Sequence, residues 1–369
     1  DSQVLPEMVV TATRTETAKN QLSAATTVYT RSDIERLQAK TFPDLLRGTT
    51  GIDVTQQGGD GKVTSVFMRG TNSDHVLVLI DGIKVGSATL GTTSFEFIPI
   101  DQIERVEIIR GPQSSLYGSE AIGGVIQIFT RKGNQEDKPS ITLDAGGGNY
   151  DTVKASGTVS GKWQNSWYNV GASHYNTQGF NARQTIPGAF GLDQPDSDGY
   201  YNTAVNARVG HRFDNNAEID ASFMRSEGKT HYDGLFQDKT NFVNQVAALS
   251  GSMDILDNWR SILRLGQSFD DNDQFAPNDS FSSNFYTQRW NASWLNEFQI
   301  NDKHRFILGS DYRLDEVDSS DLDTINPGFD AYKERSRYDV GVFGELHSQL
   351  LDHHFINASL RWDENEAFA

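Results

Sequence analysis

The chain has 369 residues, no cysteine and a formal net charge of −18. The acidic balance argues against nucleic acid as a partner, and no apolar run approaches the ~20 residues that a membrane helix needs. Membrane crossing by β-strands stays open, because a barrel strand needs only alternate apolar residues over ~10 positions, and 33 glycines with an aromatic share of 11% suit a β-rich chain with many tight turns.

The polar start Asp1-Ser2-Gln3 carries no signal peptide and reads as a mature N-terminus. Pro6-Glu7-Met8-Val9-Val10-Thr11-Ala12 follows, and Pro6 with the β-branched run favours an extended segment. Thr13 to Ser23 is polar and has no helical period. From Thr30 the sequence reads as two short helices. Ser32 or Asp33 is expected to cap the first, with Glu35 in its opening turn and Ile34 and Leu37 on its apolar face. Pro43 starts the second, Leu45 and Leu46 pack inward, and Gly48 or Gly51 ends it.

Two Gly-rich loops come next. Gln56-Gln57-Gly58-Gly59-Asp60-Gly61-Lys62 has amide side chains at its tip, and Lys84 to Phe95 is small and polar. Taken alone, such a loop is usually just a turn. The densest stretch reads VFMRGTNSDHVLVLIDG from Val66 to Gly82 and VEIIRGPQSSLYGSEAIGGVIQIFT from Val106 to Thr130. Val76 to Ile80 and Val125 to Phe129 are short, β-branched and bounded by Gly, Asp and Asn, so they are predicted to be buried strands. At Arg69-Gly70 and Arg110-Gly111 the glycine permits a sharp turn while each guanidinium is expected to reach a carboxylate.

These motifs, VFMRGTN, HVLVLIDG, RVEIIRGP and YGSEAIGGVIQI, closely resemble the plug, or hatch, domain of TonB-dependent outer-membrane receptors, most nearly the cobalamin receptors among them. The resemblance implies an all-β-dominated chain, with an α/β plug inside an antiparallel transmembrane β-barrel of the bacterial outer membrane. It divides the chain into a periplasmic segment (1–23), a plug (24–134) and the N-terminal part of a barrel (139–369). Glu7, Met8, Val9, Val10, Thr11 and Ala12 are similar to the TonB box, which pairs with the energy-transducing partner TonB by strand addition. The two loops match the plug apices that face substrate, through Gln56, Gln57, Asp60, Lys62, Ser87 and Thr89. Amides, hydroxyls and bare backbone suit a corrin ring fringed with amides.

From about residue 139 the pattern becomes alternation. Ile219, Ala221 and Phe223 oppose Glu218, Asp220 and Ser222; Val205, Ala207 and Val209 oppose Asn206, Arg208 and Gly210. Ile356, Ala358, Leu360 and Trp362 oppose Asn357, Ser359 and Arg361. A soluble sandwich also alternates, but here the strands are long and the connections alternate in length. Tight turns are expected at Trp163-Gln164-Asn165, Asp214-Asn215-Asn216, Asp257-Asn258, Asn301-Asp302 and Asp352-His353, and long loops near 176–199, 228–241, 270–284 and 315–335. Short turns on one rim and long loops on the other mark an outer-membrane barrel, with Trp167, Tyr168, Trp259 and Trp362 placed for its aromatic girdles. About eleven strands are expected here, against ~22 in plugged transporters, so the barrel reads as incomplete.

Asp193-Gln194-Pro195-Asp196-Ser197-Asp198-Gly199 clusters the hard oxygen ligands calcium requires, though the spacing is not that of an EF-hand and a solvated acidic loop is the plain alternative. In the cobalamin receptors calcium orders the long loops at this place. The resemblance therefore implies a structural calcium held by Asp196, Asp198, Asp233 and Asp238, with Asn181 standing where the family has an acidic ligand. No catalytic triad or zinc-like spacing is present, and no enzymatic activity is expected. The implied function is TonB-dependent active transport of cobalamin across the bacterial outer membrane, with the membrane lipid around the barrel. The alternatives are a siderophore or haem receptor, and a non-transporting adhesion barrel.

Overall fold

The computed structural model describes residues 8–11, 13–19, 22, 24–133, 138–183, 194–318, 335–350 and 354–366. Glu7, Ala12 and the expected turn at Asp352-His353 lie outside the described residues.

The first body begins with β1 (Met8–Val9) and β2 (Thr17–Ala18), which pair antiparallel. Next come β3 (Ala25–Thr30), α1 (Arg31–Leu37), α2 (Phe42–Arg47), β4 (Ile52–Gln56) and β5 (Thr64–Met68). Then follow β6 (Val76–Ile80), β7 (Ile83–Lys84), β8 (Ile103–Arg110), α3 (Ser114–Tyr117) and β9 (Gly124–Thr130). The central sheet runs β3-β8-β9-β6-β7, with β6 and β9 parallel and the other pairs antiparallel. All five residues of β6 are buried, because each face of this sheet is covered. Val76, Val78 and Ile80 meet Phe42, Leu45 and Leu46 of α2, while Leu77 and Leu79 meet Val125 and Ala121 on the opposite face. Each such side chain contributes ~1.5–3 kcal/mol on burial.

Thr30 caps α1 and Asp33 returns the bond to its backbone, so the capping residue precedes the expected Ser32 or Asp33. Ile34 is buried, but Leu37 is 49% exposed because the helix is only two turns long and ends there. Thr41 caps α2, with Pro43 in its first turn and Gly48 closing it. The two arginines depart from expectation. Arg110 Nη1 donates to Thr27 Oγ1 at 2.7 Å, since pairing of β3 with β8 brings that hydroxyl alongside, and the Arg69 guanidinium lies against Gly111.

The second body is one antiparallel sheet of eleven strands. They are β10 (Ser140–Gly148), β11 (Thr152–Trp163), β12 (Ser166–Thr177), β13 (Tyr200–Arg212), β14 (Glu218–His231) and β15 (Lys239–Leu256). The wall continues with β16 (Trp259–Phe275), β17 (Phe281–Asn301), β18 (His304–Asp318), β19 (Ser336–Leu350) and β20 (His354–Asn365). Each pairs with its neighbours in sequence, and β10 and β20 form the two edges. The expected turns at 164–165, 214–216, 257–258 and near 302 close these hairpins.

The alternation is inside out. On β13 Val205 and Val209 are exposed, while Asn202 and Asn206 are 6% and 2% exposed; on β14 Ile219 is exposed and Asp220 and Ser222 are buried. Polar side chains point inward, where the first body fills the curve of the wall, and apolar ones point out. That is the reverse of a soluble sandwich.

Two expected loops are in good part strand: about half of 228–241 and most of 270–284. β14 and β15 reach to His231 and from Lys239, and β16 and β17 reach to Phe275 and from Phe281. Runs such as Asp270-Asp271-Asn272-Asp273 are polar although the backbone is regular: Asp270 is buried on the inward face and Asp271 to Asp273 are half-buried. Trp167 also departs from the girdle reading. It is 8% exposed, its indole N–H donates to Asp220 at 2.9 Å, and Lys132 sits over its ring. Trp362 does face outward.

Candidate functional site

At the short-turn rim the N-terminal segment lies docked on the plug sheet. Val9 is fully buried against Ile109 and Leu22. Glu107 and Gln127 are cross-strand partners on β8 and β9, two buried polar residues each flanked by apolar neighbours. Their presence is explained by what they bind. Glu107 Oε2 accepts from Val10 N (3.0 Å), Thr11 N (2.8 Å) and Thr11 Oγ1 (2.6 Å), and Gln127 Oε1 accepts from the same hydroxyl. Tyr117 donates to Thr11 O at 2.8 Å and Arg105 donates to Met8 O. The main-chain groups of Val10 and Thr11 are thus held by side chains, while Met8 and Val9 pair with β2.

Three residues beyond Thr11, Arg14 forms a bidentate pair with Asp311 of β18, both contacts 2.7 Å, and donates to Ser293 Oγ and Leu116 O. Its guanidinium also lies over the rings of Tyr117 and Phe343. Arg361 Nη1 reaches the same carboxylate at 2.8 Å. Arg305 ties Glu16 O and Thr17 Oγ1 to the wall. Sequence reading did not single out Arg14, Glu107 or Asp311; the available signal was Glu107 set directly between Val106 and Ile108 in β8.

At the long-loop rim the plug presents its two Gly-rich apices. Gln57 and Thr89 are exposed. Gln56 is occupied locally, donating to Gly59 O and accepting from Arg47, and Ser87 pairs with Thr89 at 3.0 Å. Asp60 accepts from Tyr175. Lys62 behaves differently from the expected ligand contact. It is 2% exposed, and its ammonium donates to Asp198 O, Thr230 Oγ1 and Asp60 O, each at 3.1 Å. Burial pushes its pKa down to about 8, against the pull of Asp198 and Asp60. Lys62 is a bolt between plug and wall. Gly61 beside it, at φ 74, lies so close to the Tyr200 ring that no side chain fits there.

The neighbouring 3-10 turn Phe95–Phe97 is fastened the same way. Phe97 O accepts from Asn202 and Ser226, Tyr200 donates to Glu96 O, and the Phe97 ring stacks on Phe242 at 3.7 Å. Glu96 accepts from Thr64 N, and burial raises its carboxyl to about 8. With an unfolded value of 4.5, its contribution to stability is full below that value and is lost as pH rises from there through about 8. Glu96→Gln is therefore expected to flatten the pH dependence. Between pH ~5 and ~8 the thermal midpoint of the natural protein should fall relative to that of the variant. Parallel curves for the two proteins would contradict it.

The acidic loops converge at the same rim. Asp198 is 3% exposed; burial raises its pKa and Asp196 adds repulsion. Burial, with Asp198 and Asp196, raises that of Asp233. Asp233 Oδ2 and Asp238 Oδ1 are buried oxygens with no hydrogen-bond donor. Gln194 bridges the loops, donating to Asp238 at 3.5 Å and accepting from Gly234 N at 2.9 Å, and Asn181 donates to Gln194 O. Among the described residues no three carboxylates close around one point. The donor set fits a hard cation: acceptor oxygens without donors and carboxylates in mutual repulsion are what such an ion relieves.

Comparison with known proteins places this arrangement. Residues 18–125 match the family described as TonB-dependent Receptor Plug Domain. Over its whole length the chain is 34% identical to the vitamin B12 transporter BtuB of Vibrio cholerae serotype O1, covering 59% of that protein. It is 33% identical to BtuB of Photobacterium profundum, covering 98% of this chain and 57% of the relative. The chain belongs to the TonB-dependent receptors. Among solved structures it superposes on the ferric enterobactin receptor PfeA of Pseudomonas aeruginosa with a TM-score of 0.79 at 18% identity, covering 98% of this chain and 59% of that one. The siderophore receptor PirA of Acinetobacter baumannii gives 0.74 at 19% identity, covering 92% and 56%. The receptor chain thus spans just under three fifths of the curated relatives it matches. Its outward apolar strands are those of an outer-membrane protein, with the short turns at the periplasmic rim and the receptor's Gly-rich apices at the opposite one.

Proposed function

We propose that the full-length protein imports cobalamin across the outer membrane, driven by a TonB-type partner that engages residues 7–12. What carries this reading is similarity: the vitamin B12 transporters match across nearly the entire chain at about a third identity, whereas the siderophore receptors match it in fold at under a fifth. Exposed Gln57 and Thr89 on the apices supply an amide and a hydroxyl toward incoming substrate. The partner's strand adds to the N-terminal segment once Glu107 and Asp311 let it go: Glu107 occupies the Val10 and Thr11 N–H groups, and Asp311 anchors the segment through the Arg14 side chain.

Calcium is proposed to join the outer loops through Asp196, Asp198, Asp233 and Asp238, with Asn181 at the edge of the set. Neutralising these carboxylates orders the loops before substrate arrives and removes part of the entropy that binding must otherwise overcome. The two ligands are then linked, and each should tighten the other by the same factor, ~5–150-fold. One titration series tests both readings: cyanocobalamin and a panel of ferric siderophores, with calcium and with chelator. The same series on Asp196→Asn with Asp198→Asn completes it. Cyanocobalamin is expected to bind most tightly, with a calcium dependence that the double variant loses. Preference for a siderophore would overturn the substrate, and equal affinities with and without calcium would overturn the linkage.

A further inference from the structure

Between the plug sheet and the wall at β16–β18 lies a cavity of about 80 Å³, lined among others by Tyr117, Lys84, Arg264, Asn291 and Arg313. Its charges are nearly all matched. Arg14 and Arg361 share Asp311, Lys84 pairs with Glu120, and Arg313 reaches Glu120 and Asp315. Asp81, the other carboxylate near Arg264, is bound by Arg208 and Thr130. Arg264 is the exception. Among the described residues its guanidinium makes no hydrogen bond or ion pair, and it lies against the backbone of Gly82, where a Cβ would stand 2.6 Å from Nη1.

A second unanswered donor faces the same space. Asn291 Nδ2 is buried and has no acceptor. In the strand register Arg264 lies opposite Ser293 and Asn291 opposite Gly266, so the two donors are diagonal neighbours on the inward face. Arg313 is the partner of Asn291 on the next strand. A half-buried cation without a counter-ion and a buried amide nitrogen without an acceptor are each unfavourable, and together they call for one acceptor carrying negative charge. A tetrahedral oxyanion has the size for the cavity and the two oxygens needed, and the planar guanidinium is the side chain best matched to it.

We propose that Arg264 and Asn291 form a binding site for a phosphate group at the plug–wall interface. The group has two sources: free inorganic phosphate, or the phosphodiester of the cargo as it passes between plug and wall. The second source rests on the cobalamin reading; the first does not.

The experiment uses the full-length receptor in detergent and in cells. Inorganic phosphate is titrated calorimetrically into the natural protein, Arg264→Gln and Asn291→Asp. Loss of a charge-assisted bond should weaken binding ~10- to 100-fold in the first variant. The second supplies its own carboxylate to Arg264 and should abolish phosphate binding without removing the cation, so it decides the matter if Arg264→Gln fails to fold. In cells, uptake of cyanocobalamin is compared with uptake of dicyanocobinamide, which lacks the phosphodiester. Phosphate binding lost in the variants supports a free-ion site. No phosphate binding, with Arg264→Gln slowing cyanocobalamin alone, supports the cargo as the source. Phosphate binding that survives both variants overturns the proposal. So does its absence combined with equal behaviour of the two corrinoids. Surface binding of cyanocobalamin, read separately, reports on the transport reading and not on this site.

Discussion

In Asp311→Ala, residues 8–18 are expected to leave the plug face. The substitution removes both 2.7 Å contacts and strands the Arg14 guanidinium beneath Tyr117 and Phe343. Breaking one side of a buried pair costs ~3–5 kcal/mol, and the segment escapes that penalty by undocking. At ~1.4 kcal/mol per tenfold the docked-to-free ratio should shift by at least ~100-fold. A nitroxide on Val10→Cys should pass from an immobile to a mobile spectrum. The apparent affinity of the proposed partner should rise with the free fraction, since only the undocked segment can accept a strand. An unchanged spectrum would show that Glu107 and the β1–β2 pair hold the segment without Arg14.

Val10→Pro should free the segment and yet disable it. Proline removes the N–H that Val10 donates to Glu107 at 3.0 Å, so docking weakens. It also removes the donor that strand addition would use. Uptake in cells should drop to background while surface binding of substrate stays near that of the natural protein. Asp311→Ala and Val10→Pro therefore separate release from coupling: both segments are mobile, and only the first still transports. Near-normal uptake by the proline variant would refute the coupling role of this segment.

What could be read in advance was what is local. The eleven wall strands follow from a two-residue period between turns, and that period belongs to neighbouring residues. β6 was visible as an unbroken apolar run. The latch was not, because Thr11 and Glu107 are 96 positions apart and Arg14 and Asp311 are 297 apart, and no local pattern encodes such pairings. Lys62 was misread for a related reason. Its loop curls so that the ammonium enters the wall, and Gly-Asp-Gly-Lys does not say which way it turns. The tops of β14 to β17 were taken for loops because polarity was used as a sign of irregular backbone. There the backbone is regular strand although the residues are polar.

The order of strands in the wall bears on how the molecule is built. Every wall strand after β10 pairs with the one made just before it, so the wall can grow hairpin by hairpin from strands that are neighbours in the chain. The plug sheet, ordered β3-β8-β9-β6-β7, needs β3 to wait for a strand more than seventy residues later. The bonds that bolt plug to wall also join distant stretches of chain, Gln102 to Ser173 across 71 positions and Lys62 to Thr230 across 168. A nascent receptor should accordingly pass through a stage in which a growing curved sheet surrounds a plug that has not yet locked. Until Lys62 finds its acceptors and the Phe97 carbonyl its donors, the inward row of Asn202, Asn206 and Asp220 faces water. Assembly of the wall is then separable in time from the sealing of its lumen.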